Sequence, residues 1–347
     1  MRGERRKPRF GGLELRSRWG LSSDLEVICN RIYELADKEG VGVVFTPTIT
    51  LSKDIKAHKL AKLCVLKYEG SSYVFLSRPL SNSIRDIKQI LHYHVPKVMS
   101  IAAAELGEWI QLVEMAEEAA FNAIELDFVA AKLLSSRYYH ASRLLIEVAN
   151  EVASVTRLPV IAKLRAYPAP SVELVDKLAS IGVGAIVLTP HLTYTVGSHF
   201  FRIHSTSLSR VALSALAEFL SSEPSVQLAY ITDEVWGTYT TLLRSFDLVL
   251  YDVSFLVRHV KLPQIERKRV PLSWRSIPSG AKLVVEGSEA AHIAEVCPCL
   301  AIPSKEEYGL VEVDRKCVFC GLCLDVYQGL VKYAWEPVIE EGPVQED

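Results

Sequence analysis

AIELD (residues 123–127) and PVIAKL (residues 159–164) are two neighbouring apolar stretches, each of strand length. Residues Ala141–Val155, between them, have helical periodicity. A strand, a helix and a second strand predict a βαβ unit with parallel strands. The polar residues Glu125 and Lys163 interrupt otherwise apolar strands and are therefore of interest.

The same alternation extends in both directions along the chain. The predicted strands are Trp19–Ser22, Val41–Phe45, Lys97–Ala102, Ala123–Leu126, Pro159–Leu164, Ala185–Leu188, Val226–Ile231 and Leu248–Tyr251. They are nearly continuous apolar runs, as expected of strands buried on both faces. Eight such strands favour a closed barrel over an open sheet, so the predicted fold class is α/β, a TIM (β/α)8 barrel.

Helical periodicity fills most of the intervals between the strands. The predicted helices are Asp24–Glu39, Ala104–Ala120, Ala141–Val155, Ser171–Ile181, Leu208–Leu220 and Trp236–Ser245. Ser22 and Ser23 are suited to cap the first helix, and Gly40 and Gly182 each follow a predicted helix end.

Composition excludes several classes of protein. The chain has 347 residues, 49% hydrophobic and 23% charged, which suits one large barrel with an appendage. Its formal net charge of -2 gives no basic excess for nucleic acid or an anionic membrane. The longest apolar stretches are far too short for a membrane span, and no secretory signal is recognisable. The sequence therefore predicts a cytoplasmic protein.

The chain divides into five segments by pattern and charge. We predict a basic flexible tail at 1–11, the barrel at 12–257, a final helix and linker at 258–290, a cysteine-rich module at 291–336 and an acidic tail at 337–347. In a cytoplasmic protein, a compact cysteine cluster predicts a metal site rather than disulfides.

The cysteine-rich module resembles one half of a bacterial ferredoxin. Cys317, Cys320 and Cys323 have the spacing C-x2-C-x2-C, which supplies three thiolates to a [4Fe–4S] cluster. The usual fourth cysteine is missing downstream, and Cys297 or Cys299 could replace it. A structural zinc ion is the alternative, and its ligands would be Cys297, Cys299, Cys317 and Cys320. An iron–sulfur cluster is the preferred interpretation, with zinc as the alternative.

The barrel resembles the dihydroorotate dehydrogenases. The resemblance lies in GLSS (residues 20–23), VVFTPTIT (residues 43–50) and the two stretches quoted first, in the family's order. It implies flavin mononucleotide (FMN) across the carboxyl-end mouth of the barrel and an oxidoreductase related to pyrimidine metabolism. A barrel joined to a ferredoxin-like segment is also similar to dihydropyrimidine dehydrogenase.

The resemblance implies a role for a few residues. Lys163 matches the lysine that contacts the flavin ring, and Ser22 and Ser23 are candidate cofactor-binding residues. The alternative for Lys163 is a structural ion pair with Glu125 or Asp127 inside the mouth.

Other family positions have changed. Pro47 stands where a second flavin-contacting lysine is expected, and Ala130 stands where the proton-abstracting base is expected. The turns that should hold the flavin phosphate carry Asp233, Glu234 and Asp252 in place of glycines, and these carboxylates would repel a phosphate. No catalytic residue can therefore be assigned.

Two functions follow from these observations. The first is a diverged redox protein whose iron–sulfur cluster transfers electrons, working with a partner redox subunit or a second copy of the chain. The second is a non-catalytic scaffold or binding subunit with a structural metal site. An RNA-binding barrel is disfavoured because phosphate contacts need clustered Lys and Arg.

Overall fold

A computed structural model describes most of the barrel and short parts of the remainder. The described residues are 7–25, 30–51, 62–68, 71–77, 91–135, 142–196, 199–204, 206–232, 243–251, 282–285, 311–312 and 331–334.

Eight parallel strands close into a barrel in which each strand pairs with its neighbours in chain order. We number them β1 to β8: Trp19–Leu21, Val44–Phe45, Lys97–Ile101, Ala123–Asp127, Val160–Arg165, Val183–Thr189, Gln227–Thr232 and Leu248–Tyr251. Pairing of β5 with β6 and of β8 with β1 completes the closure. All eight predicted strands are confirmed, with small differences at their ends.

Six α-helices surround the barrel in the described part of the chain. They are α1 (Asn30–Lys38), α2 (Leu106–Glu118), α3 (Phe128–Leu134), α4 (Ser142–Val155), α5 (Val172–Ser180) and α6 (Thr206–Ser221). Five of these helices were predicted, although a 3-10 turn at Ser23–Leu25 occupies the predicted start of the first one. Most of the predicted helix Trp236–Ser245 lies outside the described residues.

Helix α3 directly follows β4 and was not among the predicted helices. The Asp127 carboxylate accepts a hydrogen bond from the backbone N–H of Ala130 (2.9 Å) and so caps the helix. Asp127 therefore acts as the N-cap of α3.

Side chains of the barrel strands alternate between two cores. On β5, Ile161 belongs to the cluster that fills the lumen, whereas Ala162 and Leu164 belong to the cluster shared with the helices. A short hairpin, Arg9–Phe10 with Leu13–Glu14, inserts Phe10 into the lumen cluster. This hairpin closes the amino-terminal end of the barrel, so ligand access is left to the other end.

Two insertions build a second sheet that the sequence did not predict. Strands Lys62–Tyr68 and Ser71–Ser77 lie between β2 and β3, and strands Leu192–Val196 and His199–His204 follow β6. Together they form a four-stranded antiparallel sheet. Because both insertions leave the carboxyl ends of barrel strands, this sheet lies on the face where barrel sites are found.

A third, three-stranded sheet lies beyond the barrel in sequence. Its central strand is Lys282–Val285, which pairs antiparallel with Val311–Glu312 and with Val331–Ala334. A strand therefore occurs inside the segment predicted as final helix and linker, and it pairs with the predicted cysteine-rich module. The domain boundaries remain predictions, and the five cysteines from Cys297 to Cys323 lie outside the described residues.

None of the helices in the described part of the chain has the length and apolar character that crossing a membrane requires.

Candidate functional site at the barrel mouth

Strand periodicity directs several polar side chains into the lumen at the carboxyl ends of β4 and β5. Glu125 and Asp127 follow Ala123 at intervals of two, and Lys163 follows Ile161 in the same way. Asp127 and Lys163 are also register partners in the β4–β5 pair. All three side chains are completely buried.

Lys163 lies at the centre of this buried cluster. Its Nζ donates hydrogen bonds to Ser23 Oγ (3.0 Å), to Asp127 Oδ2 (3.1 Å) and to Asp24 Oδ1. An ammonium group has three N–H bonds, and these three acceptors match them. The ion pair with Asp127 is one that the structural alternative for Lys163 predicted.

Asp24 crosses the mouth from the turn that follows β1. One carboxylate oxygen binds Lys163, and the other, Oδ2, accepts hydrogen bonds from Thr189 Oγ1 (3.0 Å) and His191 Nδ1 (2.5 Å). A carboxylate only accepts, so the proton of the second contact is on the histidine nitrogen. Asp24 is only 3% exposed and thus joins β1, β5 and the end of β6 through buried contacts.

Asp127 is held independently of Asp24. Its Oδ2 accepts a hydrogen bond from Thr48 Oγ1 (2.7 Å), and its Oδ1 accepts the N–H of Ala130. Thr48 Oγ1 also lies 3.1 Å from Ser100 Oγ. Asp127 is consequently anchored to β2, β3 and α3 as well as to Lys163.

Glu125 is the carboxyl group with a strongly altered proton affinity. Burial raises the pKa of Glu125 to about 7, the negative charge of Asp127 adds to this, and the positive charge of Lys163 opposes it. Ser23 Oγ donates to Glu125 Oε1 (2.5 Å). The other oxygen, Oε2, is buried and has no hydrogen-bond partner within the described structure. In the folded protein this carboxyl therefore keeps its proton to a higher pH than an exposed glutamate does.

The structure brings together three of the predicted residues. Lys163 and Ser23 are in direct contact, and Ser22 is buried beside them at the end of β1, with an Oγ that lacks a hydrogen-bond partner among the described residues. Asp24, Thr189 and His191 were not predicted as site residues. Their common signal is a polar residue at, or within three positions after, the carboxyl end of a barrel strand.

Metal ligands are a separate question. In the part of the chain that the structure describes, no three His, Cys, Asp or Glu side chains are grouped so as to hold a metal ion. The predicted ligands Cys297, Cys299, Cys317, Cys320 and Cys323 are outside that part.

The fold and the mouth define a β/α-barrel with a buried charged cluster at its carboxyl-end face. No model of a known protein family matches the chain. The chain is 27% identical over 187 residues to the catalytic subunit of dihydroorotate dehydrogenase B (NAD(+)) from Endomicrobium trichonymphae. The match covers 52% of this chain and 60% of that protein's length. The chain is thus distantly similar to an oxidoreductase of the dihydroorotate dehydrogenase type.

Among solved structures, the chain resembles an unconfirmed dihydrodipicolinate synthetase from Pseudomonas aeruginosa. The sequence identity is 11% and the TM-score is 0.41, over 66% of this chain and 64% of the other.

Proposed function

We propose that this chain is an accessory redox subunit with a diverged dihydroorotate dehydrogenase-type barrel, in which the cysteine-rich module carries an iron–sulfur cluster and the barrel does not perform the flavin reaction. The observation that carries the proposal is that the Lys163 ammonium group is already paired inside the protein. The residue that the resemblance assigns to the flavin is buried and bound to carboxylates of the chain itself.

The mouth does not fit FMN in the manner that the resemblance implies. The three ammonium protons of Lys163 are matched by Ser23, Asp24 and Asp127. A reduced, anionic flavin ring at Lys163 would meet two buried carboxylates, and like charges repel strongly where water is excluded. Ala130, at the base position, has no group that accepts a proton. A flavin reaction at this mouth is therefore not part of the proposed function.

The register of the third sheet supports a single metal site. Val285, at the end of the central strand, is the register partner of both Val311 and Val331. The segment with Cys297 and Cys299 thus leaves and returns at this end of the sheet. The segment with the other three cysteines also ends there, at Val331. Four thiolates from the two segments would satisfy a [4Fe–4S] cluster.

A barrel without its own flavin needs another source of electrons for such a cluster. The proposed role is electron transfer to or from a partner redox subunit, or between two copies of this chain. The zinc alternative uses the same cysteines but supplies no electron transfer, because Zn²⁺ has no redox chemistry. In that case the chain is a scaffold or binding subunit.

Flavin binding is the second candidate, and one observation favours it. Ser22 Oγ and Glu125 Oε2 are buried at the mouth without hydrogen-bond partners in the described structure. Buried polar atoms are normally satisfied, so a bound polar molecule could supply the missing contacts.

Anaerobic purification of the full chain, followed by a visible spectrum and analysis of iron, zinc and flavin, tests these alternatives. We expect about four irons per chain and no stoichiometric flavin. A Cys317→Ser variant should lose iron, whereas the matched Cys64→Ser variant should retain it. Stoichiometric flavin would overturn the proposal for the barrel. Zinc, or no metal, would overturn the redox role and leave a scaffold.

A further inference from the structure

Two positively charged side chains lie near each other at the rim of the barrel mouth. Lys132 belongs to the last turn of α3, and Arg165 is the last residue of β5. Helix α3 packs against β5 and against the strand Leu192–Val196 of the second sheet. Both side chains are partly exposed. A dissolved ligand can therefore reach them from outside the barrel.

Arg165 continues the row of β5 side chains that faces the lumen. It follows Ile161 and Lys163 at intervals of two, and it is the register partner of Thr189 at the end of β6. Lys163 is paired with carboxylates inside the lumen. Arg165 lies one step further towards the carboxyl end, so its positive charge stands at the rim.

Lys132 lacks a counter-ion. In the part of the chain that the structure describes, its ammonium group has no hydrogen bond and no ion pair. Burial lowers the pKa of Lys132, and the positive charge of Arg165 lowers it further. Neither Asp24 nor Asp127 is among the groups that shift it. A partly buried ammonium beside a second cation is unfavourable unless an anion joins them.

A structural role for Lys132 accounts for only part of this arrangement. A lysine in the last turn of a helix interacts favourably with the negative end of the helix dipole. That role needs no second cation, and the charge of Arg165 opposes it. We propose that Lys132 and Arg165 form an anion-binding site at the rim of the barrel mouth, and that its ligand carries a phosphate group.

The two side chains select this ligand class by charge and shape. A phosphate monoester carries nearly two negative charges at neutral pH, which match the two positive charges of the site. The guanidinium of Arg165 can bind two phosphate oxygens at once, and Lys132 adds a point charge. Because a guanidinium has five N–H donors, Arg165 can bind an anion while other donors are engaged elsewhere.

The site is separate from the flavin position that the resemblance implies. It lies after β4 and β5, whereas the turns that should hold the flavin phosphate follow β7 and β8. The inference thus goes beyond the proposed function, and it holds whether the cysteine-rich module binds iron or zinc.

Calorimetric titration of the full chain with inorganic phosphate tests the inference. We expect saturable binding that weakens as potassium chloride is added, because salt screens the charges. Lys132→Met keeps an apolar side chain of similar length and should weaken binding at least about tenfold. Arg143→Met, which removes a cation paired with Glu147, should leave binding unchanged. Acetate, with a single charge, should bind at least about tenfold more weakly than phosphate.

Acetylation of lysines in the wild-type protein locates the site without any substitution. Phosphate at ten times its Kd leaves about one tenth of the sites empty, so it should slow acetylation of Lys132 about tenfold. Lys38 has an exposed ion pair with Glu34 and should react equally with and without phosphate. Potassium chloride holds the ionic strength constant, and mass spectrometry of the peptides measures both rates.

Several outcomes would overturn the inference. They are the absence of saturable binding, binding that neither Lys132→Met nor Arg165→Met weakens, and equal acetylation of Lys132 with and without phosphate. Equal affinity for acetate would overturn the choice of a phosphate ligand. If Lys132→Met is recovered unfolded, acetylation of the wild-type protein decides by itself. Iron and flavin content is a separate measurement, so failure here is distinguishable from failure of the proposed function.

Discussion

Replacing Glu125 with glutamine should change how the stability of this protein depends on pH. Glu125 is completely buried, accepts a hydrogen bond from Ser23 and has a pKa raised from 4.5 to about 7, mainly by burial. Glutamine has nearly the same shape and keeps the acceptor oxygen, but it carries no titrating proton. The substitution therefore removes the titration and retains the packing.

The sign and magnitude follow from proton binding. The folded protein holds the Glu125 proton up to about pH 7, whereas the unfolded chain releases it near pH 4.5. The favourable contribution of this group is thus fully present below pH 4.5 and is lost as the pH rises to 7. A difference of about 2.5 pKa units corresponds to roughly 3 kcal/mol. Relative to wild type, Glu125→Gln should gain about that much stability between pH 4.5 and pH 8.

Urea unfolding of both proteins at several pH values, followed by circular dichroism, measures this difference. The prediction concerns only how the difference in unfolding free energy changes with pH. Its value at pH 4.5 also depends on the two N–H donors that the glutamine amide brings into the site. A difference that stays flat between pH 4.5 and pH 8 would refute the assignment of Glu125 as a buried, titrating carboxyl.

Glu117→Gln is the matched control. Glu117 is exposed, and hydrogen bonds from Thr156 and from the backbone of Arg157 lower its pKa. A lowered pKa stabilises the folded state above the unfolded pKa, and this contribution is lost in acid. Glu117→Gln should therefore be less stable than wild type at neutral pH, and the gap should close as the pH falls. Its trend is opposite to that of Glu125→Gln.

Three other substitutions test the packing of the barrel. Lys163→Met should cost about 3–5 kcal/mol in urea unfolding, because it leaves the buried carboxylate of Asp24 without its cation. Gly42→Ala should cost about 1–3 kcal/mol and lower the thermal midpoint, because the new Cβ would lie 2.2 Å from the carbonyl oxygen of Ser17. Gln227→Ala should speed amide hydrogen exchange in the amino-terminal hairpin, because it removes hydrogen bonds of 2.8 and 2.9 Å to the hairpin backbone.

Each of these three substitutions has a control at a site where the contact is exposed or absent. Lys38→Met removes an exposed pair with Glu34 and should change stability by no more than about 0.5 kcal/mol. Gly107→Ala adds a Cβ with no atom within 4 Å. In the exchange experiment, the buried amide of Met99 on β3 should be unaffected. Equal effects in a substitution and its control would contradict the packing argument.

The barrel strands could be predicted from sequence because each is specified locally. Residues 159–164 are an apolar run of strand length, and period-two alternation then places Ile161 and Lys163 on the same side. The four-stranded antiparallel sheet could not be predicted in this way. Its strand His199–His204 pairs with Ser71–Ser77, more than a hundred positions earlier, and no local pattern specifies such a partner.

Helix α3 marks the limit of reasoning by resemblance. The resemblance singled out position 130 for a proton-abstracting base, and it did not reveal that the Asp127 carboxylate accepts a hydrogen bond from the N–H of Ala130. The competing role, a helix cap, becomes visible only in three dimensions. The same tertiary structure gives Asp127 its ion pair with Lys163.

The sequence by itself determined the eight barrel strands and the alternation that places Lys163 on the same side as Ile161, because these depend on residue type and short-range periodicity. Only the tertiary structure decided what Lys163 binds. Asp24 is 139 residues from Lys163 and 167 residues from His191 along the chain. These residues meet because closure of the barrel brings the ends of β1, β5 and β6 to one mouth, and no local pattern in the sequence encodes that meeting.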